Sequence, residues 1–542
     1  MRKDYELTLY ESLRRTALKY PKYRALHFEG HFMSYKRMLH QVDLYATNLV
    51  KLGIKKDDCI TLCLPNVPGA IYLLYALNKI GAKLSLVHPL MNKFILKNTM
   101  MKTSSHLVFI LDTMKEEFLD LEKDESYPIK VAIVDVANDL HLFKRIGYKL
   151  INRKKLKMSK PSLSSKILSK GKIESIEIDD DIHNDRFYLQ SGGTSGASKT
   201  IALSNLNINA NVRHFFKLLD LKTPKNQYML AVLPMFHAFG LCMGIHVPLY
   251  FGGVDMLMPK FNAKKVASLI KHKHLSFIIG IPLLYQKLLR EKTFDNKGLK
   301  YLNVCFVGGD FVDQKIIDEF NDICAKRHSK ARLYRGYGLT ELSGVVSLNT
   351  HREHDLSSVG KVLDDIDVMI RSEDGKKRLK DEEDGLIYLS GETLMNGYLN
   401  NNDNYSYFIG EKGLRYFNTG DYGHITKDRF LIYKQRAKSI IKVKGINVFP
   451  NEIEDAIKSL DFVHATKVIG IPDEDFAYKI CLFIVKNRNA KQVMTDEQIK
   501  QYIDDKCGKY ARPHIIKYID KMPFTNIGKV DVNGLIKYMK SY

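Results

Sequence analysis

The chain has 542 residues, a formal net charge of +23 and seven cysteines with no C-x-x-C pair. That length exceeds one ordinary domain, and the odd, scattered cysteines argue against a disulfide scaffold or a zinc site and for a reducing compartment. No run reaches the roughly 20 apolar residues of a membrane span, and the charged start Met1-Arg-Lys-Asp-Tyr-Glu6 lacks the apolar stretch of a secretory signal, so a cytoplasmic chain with affinity for polyanions is expected.

Apolar runs at 60–64, 131–134, 277–279 and 304–307 alternate with helical stretches such as 70–79. This alternation predicts an α/β chain of parallel sheets flanked by helices. Between the second and third runs, 140–173 carries eleven Lys or Arg and no acidic residue, interleaved with Leu142, Phe143, Ile146, Leu150, Ile151, Leu156 and Met158. Basic and apolar side chains together suit the surface of an anionic bilayer; a solvated insertion loop is the alternative. No recognition motif accompanies the charge, so no specific nucleic acid is expected. Towards the C-terminus 479–485 reads as a strand, and Thr495 with Gln498 reads as a capping box opening a helix.

Four short motifs carry chemistry. Gln190-Ser-Gly-Gly-Thr-Ser-Gly-Ala-Ser-Lys199 offers bare backbone at Gly192, Gly193 and Gly196, hydroxyls at Ser191, Thr194 and Ser195, and a cation at Lys199. Those are the groups a phosphate chain needs. The run 193–200 also comes within one residue of the P-loop pattern G-x-x-x-x-G-K-[ST], with Ser198 in place of the second glycine. A P-loop leads straight into a long helix, whereas Asn205, Asn207, Asn209 and Asn211 make an indifferent helix start. Arg335-Gly-Tyr-Gly-Leu-Thr-Glu341 supplies an aromatic face, a hydroxyl and a carboxylate. Asn418-Thr-Gly-Asp421 with Arg436 suits ribose, and Pro523-Phe-Thr-Asn-Ile-Gly-Lys529 ends in one lysine. Taken singly, these read as a surface turn, a packed aromatic and solvated charges; their order and spacing point to a carboxylic acid activated as an acyl-adenylate.

Over essentially all its length the chain resembles the ANL superfamily of adenylating enzymes, which includes acyl- and aryl-CoA synthetases, amino-acid-activating domains and beetle luciferase. Leu44-Tyr-Ala-Thr-Asn-Leu-Val50, Asp58-Cys-Ile-Thr-Leu-Cys-Leu-Pro-Asn66 and Gly81-Ala82 are similar to the start of these enzymes. The family's phosphate loop reads S-G-T-T-G-x-P-K-G, and this one departs at Gly193, Ser195, Ser198 and Thr200 while keeping the lysine. The resemblance implies adenine stacking on Tyr337 beside Gly338, with Gly308, Gly309 and Asp310 bordering the base. It gives Thr340 to the α-phosphate, Glu341 to Mg²⁺, and Asp421 with Arg436 to the ribose. Lys529 would bridge the substrate carboxylate and the α-phosphate, an electrostatic role.

The resemblance further implies a large N-terminal domain over 1–435 and a small mobile α+β domain over 436–542. Lys438 would be the pivot, and Lys442 and Gly445 would stand near the CoA arm. ATP, Mg²⁺ and CoA are the implied cofactor set, with acyl carrier protein an alternative acceptor. Amino-acid-activating relatives place an aspartate after the Pro-x-Phe turn, where Pro234-Met-Phe-His-Ala-Phe-Gly240 has His237. Burying an ammonium without that acid costs several kcal/mol, so an acid lacking an α-amino group is expected. His237 would line the acyl pocket, and Cys242, Met243, Ile245, Tyr250 and 278–284 are apolar enough for a medium- or long-chain fatty acid. An aryl-CoA ligase, a P-loop NTPase and a non-catalytic basic protein remain as alternatives.

Overall fold

The computed structural model describes residues 3–114, 118–156, 163–190, 199–215, 221–310, 312–399, 408–411, 413–443, 446–473, 477–487, 490, 493–524 and 530–540. The backbone divides into two compact units. The larger comprises Met1–Asp367, Leu389–Phe417 and Asp428–Leu431; the smaller comprises Val368–Tyr388, Asn418–Lys427 and Ile432–Tyr542.

Among the described residues the larger unit holds two wide sheets. The first runs Lys361–Val362, Gly344–Leu348, Leu333–Leu339, Val304–Val307, Phe277–Gly280, Tyr228–Ala231, Val254–Leu257, Arg24–Phe28, His31–Ser34, parallel from Leu333–Leu339 through Arg24–Phe28. The second runs Gly397–Tyr398, Thr200–Ser204, Asp185–Gln190, Lys83–Leu86, Cys59–Cys63, Ser105–Leu111, Lys130–Val134, Leu163–Ser164, parallel from Asp185–Gln190 onward. All four apolar runs read from the sequence are strands here, buried along their length as parallel strands covered on both faces must be.

The helix Pro68–Ile80 is buried at every position: Pro68 to Leu77 carry no polar side chain but tyrosine hydroxyls, and the buried Asn78 and Lys79 are bonded to Asn205 and Asp43, each at 2.8 Å. A side chain at Gly69 would lie 2.6 Å from Val134, so the glycine lets helix and sheet close together. Gly81, at φ +81°, ends the helix in the left-handed conformation and turns the chain into Lys83–Leu86. The Gly81-Ala82 pair is thus a helix stop.

In the smaller unit Val463–Asp473, Ala477–Lys486 and Ile515–Tyr518 form a three-stranded sheet. Ile480, Leu482 and Ile484 pack with Ile453, Ile457, Ile499 and Ile503, while Cys481, Phe483 and Val485 pack with Met522 and Leu535. Period-two alternation therefore buries both faces, and each such aliphatic side chain contributes about 1.5–3 kcal/mol. The expected capping box is present: Gln498 N–H donates to Thr495 Oγ1 at 3.3 Å and Thr495 N–H to Gln498 Oε1 at 2.9 Å. Asp367–Arg371, Gly385–Ser390, Leu414–Ile425, Phe408–Glu411 and Leu431–Arg436 make a further five-stranded sheet. Among the described residues no helix is long and apolar enough to cross a membrane.

Candidate active site

Strands Asp185–Gln190 and Thr200–Ser204 pair antiparallel, with Gln190 opposite Thr200 and Thr200 Oγ1 donating to Gln190 Oε1 at 3.2 Å. The residues joining them, Ser191, Gly192, Gly193, Thr194, Ser195 and Gly196 among them, lie outside the described residues. A P-loop would continue from Lys199 into a helix; here a strand follows, and the helix begins only at Asn205. That geometry removes the P-loop reading.

The strand Val304–Val307 ends at Gly308, whose N–H donates to Gly280 O at 3.1 Å. A Cβ on Gly308 would lie 3.0 Å from Gly336 O, so this turn and the next strand approach backbone to backbone. Gly309 takes φ +81°, and Asp310 is exposed. Tyr337 is half-buried on Leu333–Leu339, and a bulge falls between Tyr337 and Gly338. At Gly338 a Cβ would come within 1.9 Å of Gly344 O, so only glycine fits at this point of the strand. Thr340 and Glu341 follow on the tight turn Thr340–Leu342, which Ser343 closes at φ +58°.

One tyrosine that sequence reasoning missed joins the two motifs. Tyr398 Oη donates to Glu341 Oε1 at 2.9 Å, and Lys199 Nζ lies 4.8 Å from the centre of the Tyr398 ring. Met395 N–H also donates to Glu341 O at 2.8 Å. Tyr398 reaches this position because it pairs with Ile201 at the sheet edge, two residues beyond Lys199. No spacing rule ties 398 to 341; only that register does.

The asparagine-rich segment is a buried eight-residue helix, Asn205–Val212, capped reciprocally by Ser204 and Asn207. The indifferent propensity read from the sequence is overridden by tertiary hydrogen bonds. Asn205 Oδ1 accepts from Leu9 N–H, Asn207 Nδ2 donates to Glu392 O and Leu394 O, and Asn209 Oδ1 faces His246 Nε2. Asn211 Nδ2 donates to Val345 O at 2.6 Å and its Oδ1 accepts from Val345 N–H at 3.3 Å. The helix that follows the Asp185–Gln190/Thr200–Ser204 hairpin is therefore bonded to the chain just past Glu341.

Beside this turn lies a narrow, partly open apolar crevice lined by Phe239, Met243, Ile279, Phe306, Val345 and Leu348, with Asn211 and His214 at its polar side. Of the predicted acyl-pocket residues, Met243 and Ile279 line it; Cys242, Ile245 and Ile278 are core. His237 is exposed outside the lining, its ring 4.7 Å from Phe236. Desolvation by surrounding protein, then the nearby His88, lowers its pKa. The turn carrying it is braced by Asn66, the last residue of the family-like stretch 58–66, to which sequence reasoning assigned no role: Asn66 Nδ2 donates to Leu233 O at 2.9 Å and Oδ1 accepts from Met235 N–H at 3.0 Å.

In the smaller unit Asp421 is buried and its Oδ1 lies 3.1 Å from Arg436 Nε. Arg436 also donates to Thr419 O at 2.9 Å, and Thr419 Oγ1 accepts from Asp421 N–H at 3.0 Å. The structure thus brings Asp421 and Arg436 together. Lys438 is exposed on the turn Ala437–Ser439, and Lys442 Nζ pairs with Glu373 Oε2 at 2.6 Å. Strands Ile441–Val443 and Ile446–Val448 pair around Gly445, which lies outside the described residues. So does Lys529, although its flanks Phe524 and Val530 bridge antiparallel.

Residues 13–399 match the family model described as AMP-binding enzyme, and 452–529 match that of the AMP-binding enzyme C-terminal domain. The chain is 25% identical over 533 residues to a long-chain-fatty-acid–CoA ligase of Bacillus subtilis (strain 168), covering 96% of this chain and 93% of that one. It is 26% identical over 509 residues to a probable 4-coumarate–CoA ligase 3 of Dictyostelium discoideum, covering 93% and 89%. Among solved structures it matches ATP-bound MatB from Rhodopseudomonas palustris at TM-score 0.79 and 20% identity, covering 98% and 99%. It matches the anthranilate CoA ligase AuaEII with anthranoyl-AMP at TM-score 0.81 and 18% identity, covering 98% and 97%.

Proposed function

We propose, from the premise that this chain belongs to the AMP-binding enzyme family and to the acyl-CoA synthetase branch of the ANL superfamily, that it activates a medium- or long-chain fatty acid and transfers the acyl group to CoA. The observation that carries this reading is the convergence of Lys199 and Glu341 on Tyr398, which puts a phosphate-loop cation and a carboxylate on one aromatic side chain.

In the first step a carboxylate oxygen of the acid attacks the α-phosphorus of ATP, and pyrophosphate leaves. Lys199 and the hydroxyls and backbone of 191–196 hold the phosphate chain, Thr340 donates to an α-phosphate oxygen, and Tyr337 stacks on adenine between the bare backbones of Gly338 and Gly308–Gly309. Glu341 fits Mg²⁺: among the described residues no cation pairs with its carboxylate, and this ion takes one or two carboxylates plus substrate phosphates. Bound there, the ion would neutralise the phosphate charge. Lys529 offsets negative charge where carboxylate meets phosphate. In the second step the CoA sulfur attacks the acyl carbonyl, AMP leaves, and the thiol proton passes to solvent. We assign 1–435 to the nucleotide and acyl sites and 436–542 to a mobile domain in which Lys438 pivots and Lys442 and Gly445 face the CoA arm.

Support for the acid's class comes from the aliphatic and aromatic lining around Met243 and Ile279, in which, among the described residues, no carboxylate stands ready to pair with an ammonium. The test is acid-dependent exchange of labelled pyrophosphate into ATP across fatty, aryl and amino acids, followed by thioester formation with CoA or with acyl carrier protein. Exchange led by fatty acids and thioester on CoA is expected. Exchange with amino acids alone would overturn the assignment.

A further inference from the structure

The helix Leu142–Ile151 faces the wrong way for a globular protein. Wound at about 3.6 residues per turn, it gathers Leu142, Phe143, Ile146, Leu150 and Ile151 on one half and Lys144, Arg145, Tyr148 and Lys149 on the other. The usual arrangement buries the apolar half. Here Phe143 is 80% exposed, Leu150 66% and Ile151 85%, and none of the five joins a core cluster.

The polar half holds the helix to the larger unit. Tyr148 Oη donates to the buried Asp112 at 2.5 Å, Arg145 Nε donates to Ala137 O at 2.9 Å, and Lys144 pairs with Glu29 at 3.1 Å. These bonds fix the rotation of the helix, so its apolar face is turned outward by specific contacts. Lys149 at the edge of the polar half and Arg153, Lys154 and Lys155, which follow the helix directly, are all exposed, and among the described residues no carboxylate pairs with any of them. An exposed apolar strip bordered by uncompensated cations is the pattern of a surface awaiting a partner.

We infer that the outward face of Leu142–Ile151, with Lys149, Arg153, Lys154 and Lys155, docks the protein onto an anionic lipid bilayer. The charge selects this occupant. A second copy meeting the first through the same face would bring two sets of four cations together, since a two-fold contact uses the same patch on both sides. A nucleic acid would satisfy the cations and leave five large apolar side chains in water. An anionic leaflet takes both: acyl chains receive Phe143 and Ile151, and headgroups receive the lysines and arginine. None of these residues is among those assigned to adenylation, so the surface can be altered without replacing any of them.

The experiment is flotation of the full chain with vesicles of phosphatidylcholine alone or mixed with phosphatidylglycerol, at low and high salt. Two variants are compared, Phe143→Ser/Ile151→Ser and Arg153→Gln/Lys154→Gln/Lys155→Gln, each checked by thermal unfolding and sedimentation velocity. The wild type should float with the anionic vesicles only and less at high salt, and either variant should lose at least about tenfold in bound fraction with unchanged unfolding. Equal partition onto neutral vesicles, absence of binding, or variants that float like the wild type would overturn the inference. So would a wild-type dimer that the two-serine variant splits, since a second copy would then own the face.

Discussion

Tyr398 donates its hydroxyl proton to the carboxylate of Glu341 at 2.9 Å across 57 residues of sequence, while its ring lies under the ammonium of Lys199. One side chain thus fixes the orientation of a proposed metal ligand and receives a proposed phosphate ligand. Tyr398→Phe keeps the ring and deletes the hydroxyl. Because a hydrogen bond to a charged group contributes about 1.5–3 kcal/mol, pyrophosphate exchange should slow about tenfold and need more Mg²⁺. Tyr398→Leu should slow it further. Wild-type exchange and Mg²⁺ dependence in Tyr398→Phe would remove this contact from the reaction.

A second expectation separates the two half-reactions. Lys529→Ala should abolish pyrophosphate exchange yet leave thioester formation from supplied acyl-adenylate largely intact, and Gly445→Phe should do the reverse. If both variants lose the same half-reaction, the two-step assignment of the 436–542 domain fails.

Chain-length choice should respond to the crevice. Met243 is buried and lines it opposite Ile279 and Phe306, so Met243→Ala opens space at that wall. The ratio of kcat/KM for longer over shorter fatty acids should rise by about tenfold. An unchanged profile across the acid panel would place the acyl chain elsewhere.

The fold should also carry a pH dependence through His246, which lies fully buried between Tyr75 Oη and Asn209 Oδ1, each at 2.8 Å. Burial lowers its pKa from the usual 6.5 to about 3. Between those values the unfolded chain binds a proton that the folded chain refuses, so this part of the stability is complete above 6.5 and is lost as pH falls towards 3. Urea unfolding should show a loss of about 1–2 kcal/mol by pH 5 that His246→Gln reduces. Equal slopes in the two proteins would show that another group governs the acid limb.

Several features were legible because their causes are local. The run at 304–307 is a strand because four consecutive apolar residues bounded by a glycine pair fit a buried parallel position. Thr495 and Gln498 cap their helix because the donors they satisfy lie within one turn. Gly308 and Gly338 were legible for a related reason: a Cβ there would lie 3.0 Å from Gly336 O and 1.9 Å from Gly344 O, so close backbone approach demands glycine.

What tertiary structure alone decided are pairings between distant segments. Asn205, Asn207, Asn209 and Asn211 form a helix despite weak propensity, since their amides bond Leu9, Leu394, His246 and Val345, and those partners are absent from the local sequence. Tyr398 meets Glu341 and Lys199 through its register against Ile201, and a one-residue slip would have turned it to the opposite face. The amphipathic pattern of 142–151 was visible in the sequence, but its outward turn was not. Periodicity gives the angle between the two faces of a helix; which face meets the protein depends on where Asp112, Ala137 and Glu29 stand, and only the folded chain brings them there.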